Sequence, residues 1–253
     1  MEIREDKGPR DAETVVFIHG AGVAGWMWKK QIEVLSPDRR GVVLDLPDHG
    51  LARNQPFESI EAVADDIVRF VADTLPGGKA SYVGHSLGAK IVLEILSRRP
   101  DTARRAVVAS ALVRPSALVS VMDSHTLNAM SLWMLKSEAV ARMQARQFAF
   151  PDEGMTADFL ADIRAMKAEN LDRPIASFAA RLFLPPHLDR VTCPVLVLAG
   201  SKEPGSMLKS QADIAKAIPG ARAVLIPGAK HTYPWTHFEA FNALLSGEGL
   251  GPR

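Results

Sequence analysis

Val83-Gly84-His85-Ser86-Leu87-Gly88 spells Gly-x-Ser-x-Gly across residues 84–88. Ala80-Ser81-Tyr82-Val83 reads as the end of a short buried strand, and Ala89-Lys90-Ile91-Val92-Leu93-Glu94-Ile95-Leu96 as an apolar helix. A sharp strand-to-helix turn forces its central residue into a strained backbone and lifts that side chain clear of the sheet. A Cβ at position 84 or 88 would collide with the crossing strand and helix, so both positions call for glycine. The backbone N–H of Leu87 then stands at a helix N-terminus, where it can face a developing negative charge. The stretch equally fits a glycine-rich turn of any α/β protein, with Ser86 as a helix N-cap. The pentapeptide alone does not separate the two readings.

Away from this turn, short apolar runs alternate with helical patterns. Thr14–Ile18 is a β-rich run, followed by His19-Gly20-Ala21-Gly22-Val23-Ala24-Gly25 and a helix opened by Trp26-Met27-Trp28. Gly41–Leu44 is the next strand and ends in Asp45-Leu46-Pro47-Asp48-His49-Gly50. Ile60, Val63, Ile67, Phe70 and Val71 recur at helical spacing. After the turn at Ser86, Ala106–Ala109 is another buried strand. Strands alternating with helices imply a parallel sheet covered on both faces. Beyond Pro115 the pattern changes, and helical patches near Leu118–Leu135, Glu138–Phe148, Ala157–Ala168 and Ala176–Phe183 replace strands. Sheet signals resume at Pro194–Ala199 and Ala223–Ile226, with a helix between them and a closing helix over Thr236–Leu245. Residues 115–187 are therefore expected to form a helical cap over the carboxyl ends of the strands, inserted into one core of residues 1–114 and 188–253. A separate helical domain is the other reading of that block. Its Met and Phe residues should line an apolar pocket, with Trp133 and Met134 as pocket or plain core. The tail Ser246–Arg253 is expected to fray.

Composition narrows the function classes. Of 253 residues, 47% are hydrophobic and 23% charged, as in ordinary soluble domains. A net charge of +1 gives no electrostatic reason to expect nucleic acid or an anionic membrane. No run approaches the ~18 apolar residues of a membrane span, and the charged Met1–Lys7 is not a secretory signal. The single cysteine, Cys193, cannot form an internal disulfide and is expected to be buried and inert. A reducing cytoplasm fits these features. The expected partner is a small-molecule substrate, and the chain is expected as a monomer or small homo-oligomer.

A serine hydroxyl needs a base within reach, and the base needs a group that fixes its tautomer. In a strand-turn-helix setting these follow in the order serine, acid, histidine. Of seven histidines, His231 stands in the loop directly after the last strand, where a base must lie to reach Ser86. His19, His49, His85, His125, His187 and His237 fall in turns, beside the serine, in the helical block or in a helix. Glu203 follows the strand ending at Gly200 and is the candidate acid, with Asp123 as the alternative. Asp45 precedes Ser86 in the chain and is expected to brace the Pro47–Gly50 turn. The N–H of Ala21, or else of Gly22, is the expected second oxyanion donor beside that of Leu87. His19 is expected to bond within its own loop.

These residues resemble the α/β-hydrolase superfamily over nearly the whole chain. The matching motifs are His19-Gly20, Asp45-Leu46-Pro47-Asp48-His49-Gly50, Gly84-His85-Ser86-Leu87-Gly88, Gly200-x-x-Glu203 and Pro227-Gly228-x-x-His231. The resemblance implies an eight-stranded, mostly parallel sheet, a serine-acid-histidine triad, and neither cofactor nor metal. Two positions depart from the family pattern: Glu203 stands where Asp is usual, and Asp48 replaces the commoner Gly. His19-Gly20-Ala21 with Trp26-Met27-Trp28 is similar to small esterases acting on methyl esters. The function implied is hydrolysis of a small, fairly apolar carboxylic ester or lactone through an acyl-enzyme. The same triad also serves C–C bond hydrolysis, acyl transfer, perhydrolysis and lyase chemistry, and a non-catalytic binding protein could keep such a pocket. A further reading is dinucleotide binding: Gly20-x-Gly22-x-x-Gly25 follows a strand, with Asp45 at the end of the next. It leaves Ser86, Glu203 and His231 unexplained.

Overall fold

The structure, a computed structural model, describes residues 1–116, 119 and 123–251. Seven strands form one sheet in the order β1-β3-β2-β4-β5-β6-β7. They are β1 (Glu2–Lys7), β2 (Thr14–Ile18), β3 (Arg40–Asp45), β4 (Ala80–His85), β5 (Ala103–Ala109), β6 (Val195–Gly200) and β7 (Arg222–Ile226). All neighbours run parallel except β1, which pairs antiparallel with β3. The sheet thus has seven strands among the described residues, against the eight implied by the resemblance; its antiparallel side is β1 alone.

Period-2 alternation divides each central strand between two cores. Val16, Ile18, Val42, Leu44, Tyr82 and Val108 pack with α2 (Ile60–Thr74) and α3 (Leu87–Arg98) on one face. Val15, Phe17, Val43, Val83, Val107 and Leu198 pack on the other with Trp28, with Ile32 of α1 (Lys29–Leu35) and with Phe241. Burial on both faces explains why these strands read as continuous apolar runs.

β1 escaped the sequence reading because its residues are mostly charged. The charges are satisfied by later segments: Arg4 Nε donates to Asp45 Oδ1 at 2.9 Å, and Arg40 Nε donates to Asp6 Oδ1 at 2.8 Å. An edge strand of this composition offers a poor template for another chain.

Between β5 and β6 lie α4 (His125–Leu135), α5 (Glu138–Phe148), α6 (Glu153–Ala165) and α7 (Glu169–Ala179). The expected helix start at Leu118 lies outside the described residues. The block is tied to the sheet side at several points. Trp26 Nε1 donates to Asp162 at 2.6 Å, Ser97 Oγ to the Pro186 carbonyl at 2.7 Å, and Lys90 Nζ to the Phe183 carbonyl at 2.9 Å. Several of its aromatic residues pack against other aromatic rings. Phe148, Phe150 and Phe159 stack with one another and with Trp26 or Trp235. Trp133, 76% exposed, and the exposed Met134 belong neither to pocket nor to core, because they lie on the outer face of α4.

After β6 come α8 (Gly205–Ala217), then β7, α9 (Tyr233–Thr236) and α10 (Phe238–Leu244). The segment beyond α10 does not fray over its described part. Leu245–Gly249 forms a π-helical turn, Leu250 is sunk in the core, and Arg39 donates to the Gly251 carbonyl at 3.0 Å. Apolar burial and a buried guanidinium outweigh the flexibility that its glycines suggest. Pro252 and Arg253 lie outside the described residues. Cys193 is half-buried, and burial pushes its thiol up, so it carries little thiolate. No helix among the described residues is long and apolar enough to cross a membrane.

Candidate active site

The carboxyl ends of β4 to β7 are stitched in line. Ser86 N donates to the Ala109 carbonyl at 2.9 Å, Ser110 N to Leu198 at 2.8 Å, and Lys202 N to Ala229 at 2.8 Å. The loops carrying Ser86, Glu203 and His231 therefore converge at one edge of the sheet.

Ser86 has φ 54° and ψ −112°, a strained conformation between β4 and α3. A Cβ on Gly84 would lie 2.3 Å from the Gly88 carbonyl oxygen, and one on Gly88 would lie 2.1 Å from that of Ile18. Backbone, not a movable side chain, fills both spaces, so the turn exists only with these glycines. Ser86 occupies the N-cap position of α3 but makes no side-chain capping bond. Its hydroxyl is not spent on the helix, which weighs against a merely capping serine.

His231 Nδ1 donates to Glu203 Oε1 at 2.6 Å. That bond leaves Nε2 as the basic nitrogen. The other carboxylate oxygen of Glu203 accepts from Gly200 N at 2.7 Å and from Ser110 Oγ at 2.8 Å. Ser110 spends its proton on Glu203, so the Tyr233 hydroxyl, 3.0 Å away, donates in turn to Ser110 Oγ. Burial, and then the Glu203 charge, raise the Tyr233 hydroxyl well above its ordinary value, which keeps it a donor. Ser110 and Tyr233 are parts of the site that the sequence reading missed. The only signal for Ser110 was a polar residue closing the apolar strand β5.

Ser86, Leu87, Ala21, Glu203 and His231 all line one cavity of about 490 Å³. Its walls include Leu112, Val119, Ile175, Phe178 and Met207. Phe178 is the block's one aromatic residue in this lining. The alternative acid, Asp123, is exposed and outside it.

Histidines also order the loop that carries Ala21. His19 Nδ1 donates to the Gly20 carbonyl at 2.7 Å, as expected, while its Nε2 accepts from Leu46 N at 3.0 Å. His49 Nδ1 donates to the Pro47 carbonyl at 2.8 Å and its Nε2 accepts from Gly22 N at 3.3 Å. Each ring uses one nitrogen as donor and one as acceptor, so only the neutral form fits. Burial, and then the neighbouring His49, lower His19 to about 3; burial also lowers His49. His85 Nε2 donates to the His231 carbonyl at 2.9 Å and holds that loop. Burial, and then the neighbouring His231, keep His85 well below its ordinary value.

The carboxylate of Asp45 accepts from Gly25 N and Leu51 N, each at 2.7 Å, and pairs with Arg4. It braces the turn as expected, and a Cβ on Gly25 would strike Val43 and Asp45. Gly25 thus answers to protein packing, and Asp45, the carboxylate a dinucleotide ribose would need, is already taken up by Arg4 and two backbone N–H groups. Among the described residues no group of three or more His, Cys, Asp or Glu side chains is placed to hold a metal ion.

Residues 15–244 match the model of the alpha/beta hydrolase family, and the chain belongs to that family. The pimeloyl-[acyl-carrier protein] methyl ester esterase of Neisseria meningitidis is 27% identical over 250 residues, covering 95% of each chain. The (E)-2-((N-methylformamido)methylene)succinate hydrolase of Acinetobacter baylyi is 24% identical over 241 residues, covering 92% of this chain and 88% of its own. Among solved structures, the enol-lactonase of Burkholderia xenovorans LB400 superposes with a TM-score of 0.77 at 21% identity, over 95% of this chain and 93% of that one. The fold is thus shared with hydrolases along nearly its full length, and the similarity supports an enzyme of the hydrolase kind.

Proposed function

We propose that the protein is a serine hydrolase acting on a small, fairly apolar carboxylic ester or lactone, with Ser86, His231 and Glu203 as its triad. The observation that carries this reading is the 2.6 Å bond from His231 Nδ1 to Glu203, on a cavity that the strained Ser86 also lines. Ser86 Oγ attacks the carbonyl carbon while its proton passes to His231 Nε2. Glu203 holds the imidazole in the required tautomer and stabilises its cation. The N–H groups of Leu87 and Ala21 receive the oxyanion, an effect of about 3–4 kcal/mol per donor in related sites. The commitment of Gly22 N to His49 supports Ala21 over Gly22. His231 returns the proton to the leaving alkoxide as the C–O bond breaks. Water, deprotonated by His231, then cleaves the acyl-enzyme and restores Ser86.

Residues 115–187 serve as a cap over core residues 1–114 and 188–253, with Ile175 and Phe178 excluding water from the acyl group. The methyl ester and lactone substrates named for the relatives agree with this substrate class.

The test is intact-protein mass after treatment with a fluorophosphonate. One adduct on the wild type and none on Ser86→Ala is expected. Equal labelling of both, or of neither, would overturn the assignment. Ser86→Ala and His231→Ala should abolish turnover of short esters while leaving Tm nearly unchanged.

A further inference from the structure

The cavity is chemically two-sided. Leu112, Val119, Ile175, Phe178 and Met207 make an apolar wall, whereas Lys202 and Lys230 are the only lysine or arginine residues among the described residues of the lining. Each lysine immediately precedes a proposed triad residue, Lys202 before Glu203 and Lys230 before His231. Their loops are fixed to each other by the Lys202 N to Ala229 carbonyl bond of 2.8 Å. The one carboxylate in the lining, Glu203, is spent on His231, Gly200 and Ser110. Among the described residues of the lining, no other carboxylate accompanies these two lysines.

We infer that the substrate carries an anionic group beyond an apolar spacer, with the ester on Ser86 and the anion at Lys202 and Lys230. A half-ester of an aliphatic dicarboxylic acid has this chemistry. The inference rests on the serine-hydrolase reading and adds to it the charge of the substrate. Both lysines are exposed, so each contributes modestly and is screened by salt.

The experiment compares kcat/KM for monomethyl esters of succinate to sebacate with their neutral ω-amides, at low and high salt. At the preferred length the half-ester should be favoured about five- to tenfold, and added salt should shrink that ratio. Lys202→Met/Lys230→Met should bring the ratio close to one. Lys202→Glu/Lys230→Glu should invert it, and circular dichroism should show the native fold in both variants. Equal turnover of half-ester and amide overturns the inference, as does a preference that survives in the Met variant. So does a wild type labelled by fluorophosphonate that hydrolyses no half-ester. Loss of fluorophosphonate labelling would instead remove the underlying hydrolase reading.

Discussion

Ser86 holds a backbone conformation that glycine adopts without strain. Ser86→Gly should therefore raise stability by about 1 kcal/mol, within the ~1–3 kcal/mol such strain costs, and should lose fluorophosphonate labelling. Urea unfolding of the two proteins checks the first effect. Glu203→Gln keeps the shape but presents an amide to His231 Nδ1, and kcat should fall roughly 10³–10⁴-fold. Ser110→Ala is milder and more informative. It removes one of the two donors to Glu203 Oε2, leaving Gly200 N, and strands the buried Tyr233 hydroxyl, so stability should fall by about 1–3 kcal/mol and kcat should drop with KM nearly unchanged. A wild-type kcat would mean that Glu203 is held without Ser110. Ser86, Glu203 and His231 could be nominated from the sequence because each lies in the loop after a strand, where chain order limits the choice. Ser110 and Tyr233 could not. Their roles exist only because parallel pairing sets the end of β5 beside the end of β6, a proximity no local pattern records.

At the scale of elements, Asp48 shows why a family departure can be structural. It sits at φ 66°, and its carboxylate accepts from Phe57 N at 2.9 Å, from Asn170 Nδ2 at 2.8 Å and from Arg173 Nε at 2.7 Å. The turn after β3 is thereby latched to α7, which carries the cavity walls Ile175 and Phe178. Burial works against ionisation, yet these partners, Arg173 foremost, hold Asp48 below its ordinary value. A carboxylate lowered in the folded state stabilises above its unfolded value, and loses that contribution as pH falls through the folded one. The latch should therefore persist from neutral pH to about pH 4 and release only in stronger acid. Asp48→Asn tolerates the backbone but removes the charge, so it should lower Tm at neutral pH and raise KM more than it lowers kcat. A thermal melt from pH 3 to 7, beside steady-state kinetics, reads both. The sequence displayed Asp48 as an oddity because its side-chain partners, Asn170 and Arg173, lie over a hundred residues away. β1 was hidden for the same reason, since its charges find Asp45 and Arg40 only in the folded sheet. Trp133 misled in the opposite direction, for an indole in a Met-rich helix reads as buried until the helix is oriented.

Across the whole molecule, alternation of apolar strands and helices was enough to foresee a parallel sheet, because burial on both faces leaves that signature in each strand. The cationic side of the cavity was not foreseeable in this way, since its two lysines share a wall only through the pairing of β6 with β7. The chain leaves the sheet at Ala109 and rejoins it, beside the same strand, at Val195. Closing so long an excursion costs entropy before any contact rewards it, and such pairings form late. The Ser86 turn is local to β4 and α3, whereas Glu203 and His231 arrive only once β6 and β7 have docked. A refolding chain should thus recover helical dichroism early and fluorophosphonate reactivity later. Parallel recovery of the two signals would count against this order. Reactivity of a single side chain then serves as a clock for the last stage of assembly, and a chain halted before β6 joins β5 would be compact yet chemically silent.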